Sequence, residues 1–193
     1  VGLVNFTGNT AISDEEIRKS LKFCLPGKVY SQEGLSQDKF IIQGLYFDRG
    51  YITANVSAAT VLNPNTEAID VTYHITENEV AYIDKIKIRG NTKTKDVVVR
   101  REVRLFPGDR FDGLKLRRSK ERLANLGFFE EISFDTEPSP LPNHRDLVVE
   151  VKEAKTGTFS FGGGYSSIDN FIGFIEIEQR NFDWKNFPYF TGD

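Results

Sequence analysis

The sequence has no methionine and a single cysteine, Cys24, in 193 residues. One cysteine cannot close an internal disulfide, and a periplasmic protein can do without any, so the redox compartment stays open. Two histidines, far from each other and from Cys24 along the chain, make no metal-ligand spacing. No apolar run approaches the ~20 residues that a membrane-crossing helix needs. There is no nucleophile elbow, P-loop or dinucleotide fingerprint. Gly162-Gly163-Gly164 follows a strand pattern but precedes more strand, so it cradles no phosphate. Glu130-Glu131 opens a strand, where alternation sends neighbours to opposite faces. No catalytic residue, cofactor or metal is therefore expected. A net charge of −3 does not single out nucleic acid. Without methionine, and opening in mid-strand with no leader, the chain reads as a piece of a longer protein.

What is present is a repeat. Ile86 and Ile88 alternate with Lys85, Lys87 and Arg89, the period of a half-buried strand. Gly90-Asn91 makes a turn. Thr94 can cap a helix carrying Val98, Val99, Val103 and Phe106, which Pro107-Gly108 stops. Asp112 can cap a second helix with Leu116, Lys120, Leu123 and Leu126 on one side. Gly127 suits its left-handed end, and Phe128-Phe129 opens a strand. The same grammar occurs earlier. Phe6-Thr7-Gly8-Asn9 matches Ile88-Arg89-Gly90-Asn91, and Pro26-Gly27 matches Pro107-Gly108. Leu45, Gly50 and Tyr51 match Leu126, Gly127 and Phe128 after a few extra residues. Ile75-Thr76-Glu77 matches Val151-Lys152-Glu153. The unit is βααββ.

In the first copy, Val4 and Phe6 point inward from the opening strand. Ser13 and Glu16 form a capping box for a helix bearing Ile17, Leu21 and Cys24, and Cys24 reads as a small core residue. Ser31 caps a helix with Leu35, Ile42, Leu45 and Tyr46 on its apolar face, ended by Arg49-Gly50. Tyr51 to Val61 reads as a strand, Asn63-Pro64-Asn65-Thr66 as a hairpin turn, and Ile69 to Ile75 as the return strand. In the second copy the hairpin loop, Pro138 to Asn143, is stiffened by three prolines. It suits either a rigid surface loop or a binding loop. The helices cover one sheet face, since each is apolar on one side. The other face is expected to be polar: Asp70, Thr72, His74 and Thr76, then Val148, Glu150 and Lys152.

From Gly157 the composition changes. Thr158 to Tyr165 alternates small or polar residues with aromatics. After a turn at Ser166 to Asn170, Ile172, Phe174, Glu176 and Glu178 alternate with Phe171, Gly173, Ile175 and Ile177. One side stays apolar while the other turns acidic, the weak signature of a membrane-barrel strand. Trp184, Phe187, Tyr189 and Phe190 follow, as at a membrane boundary or in an ordinary loop.

Gly90-Asn91-Thr92-Lys93-Thr94-Lys95-Asp96, Arg100-Arg101-Glu102, Ser119-Lys120-Glu121-Arg122-Leu123 and Leu126-Gly127-Phe128-Phe129-Glu130 resemble the POTRA domain that precedes the barrel in the outer-membrane barrel assembly family. Val151-Lys152-Glu153 through Gly164-Tyr165 resembles that family's crossing into its first barrel strand, and residues 1–78 resemble the preceding POTRA domain more loosely. Asn181 to Asp193 departs from the family's short glycine-rich turn. The resemblance implies an α+β chain: POTRA domains at 1–79 and 80–155, each a three-stranded mixed sheet with two helices on one face, then the first hairpin of a truncated transmembrane β-barrel at 156–193. That hairpin, unclosed, is expected to be disordered or to pair with an edge strand of the same or a neighbouring chain.

By the family's pattern, the first strand of each hairpin lies at a sheet edge. Edges bind extended segments through the main chain. The expected client-binding residues are Tyr51, Ile52, Thr53, Ala54, Asn55 and Val56, with Phe129, Glu131, Ile132, Ser133 and Phe134; solvated or covered edges are the competing outcome. From Lys85 to Arg122, fourteen basic residues face five acidic ones. Arg100, Arg101 and Arg104 are the preferred contacts for an accessory subunit or lipid head groups; a helix-dipole role competes. The implied partners are unfolded outer-membrane proteins, accessory lipoproteins and the outer membrane, with no nucleic acid. The implied location is the periplasm and outer membrane. A related secretion or organelle import pore is the near alternative. A KH-like nucleic-acid module is the distant one, and the helix-helix connections lack the G-x-x-G clamp it requires.

Overall fold

The computed structural model describes residues 1–155, 157–166 and 170–179; Trp184, Phe187, Tyr189 and Phe190 lie outside them. The first repeat runs β1 (Val4–Thr7), α1 (Asp14–Ser20), α2 (Gln32–Asp48), β2 (Asn55–Asn63), β3 (Ala68–Thr76). The second runs β4 (Tyr82–Arg89), α3 (Asp96–Arg100), α4 (Gly113–Asn125), β5 (Phe129–Pro138), β6 (His144–Glu153). A hairpin follows, β7 (Gly157–Ser166) and β8 (Asn170–Gln179). The first sheet has the order β1-β3-β2 and the second β4-β6-β5. In the first, β1 is parallel and β2 antiparallel to the central β3.

The caps follow the sequence. Ser13 and Ser31 accept from the main-chain N–H groups of Glu16 and Gly34, and Asp112 accepts from Lys115 N. Glu16 completes no capping box; its carboxylate pairs with Arg49. The first core gathers Val4, Phe6, Ile17, Leu21, Cys24, Leu35, Ile42, Tyr46, Val71 and Tyr73.

Several expectations are corrected. The chain over Tyr51–Ala54 is a turn, with Ala54 N donating to Tyr51 O, and the strand starts at Asn55. The first helix of the second repeat is short, Asp96–Arg100, and its N-cap is Lys95. Three consecutive valines are poor helix formers, and Thr94 is buried with its N–H on Glu153. Leu105 is buried where Phe106 was expected, and Phe106 is exposed. On α4, Ser119 is buried and Lys120 exposed. The second sheet's outer face is not polar throughout: Asp146 and Val148 are buried along with Leu147 and Val149. In β5, Phe129 and Ile132 are buried with Glu130 and Glu131 both exposed between them. That spacing breaks strict alternation, as an extra residue in a strand does.

Two compact units divide the described chain. One holds Val1–Ile86, Leu105–Arg117 and Thr136–Leu147; the other holds Lys87–Arg104, Arg118–Asp135 and the chain from Val148 onward. Among the described residues, β7 and β8 form a two-stranded sheet of their own and pair with no strand of either repeat.

Candidate functional site

The repeat signature is a carboxylate clamp. In the first repeat Glu77, just past β3, accepts from the N–H groups of Thr10 and Ala11, the Thr10 hydroxyl and the Tyr46 hydroxyl. In the second, Glu153 at the end of β6 accepts from the Thr92 hydroxyl and the N–H groups of Lys93 and Thr94. The glycine before each loop is needed for space. A Cβ on Gly8 would lie 2.1 Å from Ile75 O, and one on Gly90 1.9 Å from Val151 O; both have positive φ. Asn9 and Asn91 donate to Ile12 O and Thr94 O. Burial works against ionising Glu153, but the Thr92 hydroxyl and the N–H groups of Thr94 and Lys93 outweigh it and hold its carboxyl at about 2. Glu77 is lowered in the same way: burial opposes, and Thr10, Ala11 and Tyr46 prevail. Cys24 is buried, and burial pushes its thiol up, the opposite of a reactive thiol.

A second repeated device was not legible as function or core. Asp38, fully buried on α2, accepts from the N–H groups of Lys22, Phe23 and Cys24. Ser119, buried at the matching step of α4, accepts from Arg104 N. Each accepts from N–H groups in the segment that follows the preceding helix, which would otherwise lack a partner. The shared position in the two helices was the available signal.

Sheet order leaves β2 and β5 at edges. Asn55 and Val56 are on β2; Phe129, Glu131, Ile132, Ser133 and Phe134 are on β5. Tyr51, Ile52, Thr53 and Ala54 are not on an edge. Tyr51 packs edge-on against Tyr46 at 5.8 Å, Thr53 O accepts from Asn78, and Ala54 O from Gln43. The first edge instead continues from Ser57 to Asn63, with Val61 66% and Leu62 65% exposed. Val56, Phe129 and Ile132 turn their side chains inward, so only their main chain is available.

Among the basic residues, Arg100 pairs with Asp96 at 3.0 Å. Glu102, its side chain 12% exposed, pairs with Arg101 at 3.2 Å and Arg122 at 2.7 Å. Arg104 makes no ion pair among the described residues. Arg100 is the last residue of α3, Arg101 its C-cap, and Arg104 lies beyond it. The three share one short stretch rather than one helix end.

In the hairpin, register sets the faces. Phe159 faces Ile177, Phe161 faces Ile175, and Tyr165 faces Phe171 on one side. Thr158 faces Glu178, Ser160 faces Glu176, and Gly162 faces Phe174 on the other. The apolar side chains are exposed, from 62% at Phe159 to 80% at Phe161 and Tyr165. The Phe174 ring lies over Gly162, where a Cβ would come within 2.5 Å of it.

The POTRA family model, described as "Surface antigen variable number repeat", matches residues 1–78 and 81–154. The chain is 33% identical over 190 residues to the outer membrane protein assembly factor BamA of Nitratidesulfovibrio vulgaris, covering 97% of this chain and 24% of that protein. It is 32% identical over 182 residues to BamA of Neisseria meningitidis, covering 93% and 23%. It thus spans about a quarter of the length of these relatives. The crystal structure of BamA from Haemophilus ducreyi lacking POTRA domains 1-3 superposes with a TM-score of 0.76 at 26% identity, over 93% of this chain and 34% of that one. POTRA3-5 of Haemophilus influenzae BamA superposes with a TM-score of 0.70 at 21% identity, over 79% and 61%, a likeness of fold.

Proposed function

Because this chain belongs to the POTRA family, as the POTRA region of a BamA/Omp85 outer-membrane assembly factor, we propose that it is the periplasmic docking module of an outer-membrane insertase. The family is not an enzyme family. Unfolded barrel segments add as strands to β2 and β5; accessory lipoproteins dock on Arg100, Arg101 and Arg104; β7 and β8 open the membrane barrel. Domains at 1–79, 80–155 and from 156 belong to the same proposal.

The observation that carries it is the shared strand order. It places a nine-residue and a ten-residue strand at open edges. An edge strand presents main-chain donors and acceptors that any extended segment can meet, whatever its side chains. Each bond contributes about 0.5–1.5 kcal/mol net, so several hold a client weakly enough to pass it on. The hairpin's apolar side suits lipid and its Thr158, Ser160, Glu176 and Glu178 side a polar lumen.

The test places a photo-reactive side chain at Ala59 or Ser133, on the edges, and at Thr72, on the central strand. Cross-links to an unfolded barrel client are expected from the edges alone. Ser133→Pro, in a variant whose thermal midpoint shows it folded, should weaken the Ser133-region cross-link. Equal yield from Thr72, or no effect of the proline, overturns strand addition. Reversing Arg100, Arg101 and Arg104 to Glu should abolish co-purification of accessory lipoproteins.

A further inference from the structure

Within the first compact unit lies an open cleft of about 650 Å³, lined in part by Ile52 and Thr53, which do not lie on the β2 edge. Its sides are the turn at Ile52-Thr53, the connection Asn78 to Ala81, and the end of the second hairpin from Pro138 to Arg145. The volume falls in the range of about 300–1,000 Å³ typical of ligand pockets. We infer that this cleft is a binding site for an extended peptide segment carrying an acidic side chain, apart from strand addition at β2 and β5.

The walls are pre-formed. Asn78 Nδ2 donates to Thr53 O at 2.7 Å, and Tyr82 N to Asn143 O at 2.8 Å. Ser139 Oγ donates to Asp84 Oδ2 at 2.7 Å. The His144 ring lies 5.7 Å from that of Tyr82, and its Nδ1 is 2.7 Å from Pro142 O. A site already held in shape loses little freedom on binding. Asparagine at 78 has φ +54, which turns the chain out of β3 into the connection. Among the described residues, the N–H groups of Asn78, Glu79 and Val80 make no hydrogen bond, so an extended main chain can pair with them. Ile52, Val80 and Leu141 line the same cleft and supply apolar contact. Glu79 and Arg145, also in its lining, make no ion pair among the described residues. Their opposite charges give a bound peptide a direction, with its carboxylate toward Arg145.

The experiment titrates the chain with a short peptide alternating valine and threonine around a central aspartate, and with a copy bearing lysine there. Amide NMR signals report the site. The aspartate peptide is expected to shift the signals of Asn78 to Ala81 and of His144 and Arg145. Arg145→Ala should weaken it about fivefold or more while changing the lysine peptide less than twofold, roughly the loss of one charged contact. Val80→Pro, which removes one N–H, should weaken both peptides; Arg145→Ala remains decisive if that variant does not fold. No shift at millimolar peptide, shifts confined to β2 or β5, or equal responses of the two peptides to Arg145→Ala overturn the inference. Cross-links from Ala59 and Ser133 should survive Arg145→Ala, so failure here is separable from failure of the edge sites.

Discussion

Glu77 and Glu153 do the same work in two repeats: one carboxylate gathers the donors of a loop that follows the first strand. The folded pKa of Glu153, about 2, is below the roughly 4.3 of an unfolded glutamate. Its contribution to stability is therefore complete above about pH 4.5 and is lost as pH falls toward 2. Urea unfolding as a function of pH should show this slope, and Glu153→Gln should flatten it and cost about 2 kcal/mol at neutral pH. Asp38 gives a second expectation. Asp38→Ala removes the acceptor of three N–H groups, that of Cys24 buried, and should cost about 2–4 kcal/mol, whereas Ser119→Ala orphans one and should cost about 1 kcal/mol. Chemical denaturation measures both. The repeat alignment displayed Glu77 and Glu153 as matching letters, yet what a letter binds is decided by a loop some sixty residues away.

At the scale of elements, the difference between the helices matters most. α2 has 17 residues and α4 has 13, one helical turn more, the few extra residues visible in the repeat alignment. That turn carries Phe47 and Asp48. Phe47 meets Phe111 edge-on at 5.1 Å, and Asp48 pairs with Arg117 at 2.6 Å. Gly50 N–H ends the helix on Phe47 O, while Gly50 O takes Ala81 N. Gly50 has φ +86, and a Cβ there would stand 2.9 Å from Phe111 O. Ala81 O in turn accepts from Phe111 N. The connection between the helices of the second repeat is thus pinned to the end of α2 within one compact unit. Gly50→Ala should cost about 1–2 kcal/mol from backbone strain alone. Phe47→Ala should split a single calorimetric unfolding transition into two, because it loosens the contact by which the repeats unfold together; an unsplit transition would count against that coupling. The start of β2 was not legible. Tyr51 to Ala54 has strand composition, but Tyr46 and Gln43 on α2 and Asn78 on the connection claim its ring and carbonyls before a sheet can.

For the whole molecule, the hairpin's two-sidedness makes a prediction about membranes. Phe161→Lys, on the apolar side, should weaken partition of the chain into detergent micelles, at a cost of up to about 2–4 kcal/mol if the position sits at mid-bilayer depth. Ser160→Lys, on the other side, should leave partition nearly unchanged; intrinsic fluorescence follows both. The sequence by itself determined the βααββ repeat, the helix caps at Ser13, Ser31 and Asp112, the sidedness of β7 and β8 and the family, because these rest on local chemistry and on periods of 2 and 3.6 residues that short windows contain. It also determined where the positive charge collects. Only the tertiary structure decided where along the chain the edge strand β2 begins, that Asp38 and Ser119 are buried, that Glu102 takes up two arginines, and that a cleft opens beside Asn78 to Ala81. Each of these depends on groups far apart in sequence meeting at hydrogen-bonding or packing distance, and no local pattern encodes such a meeting.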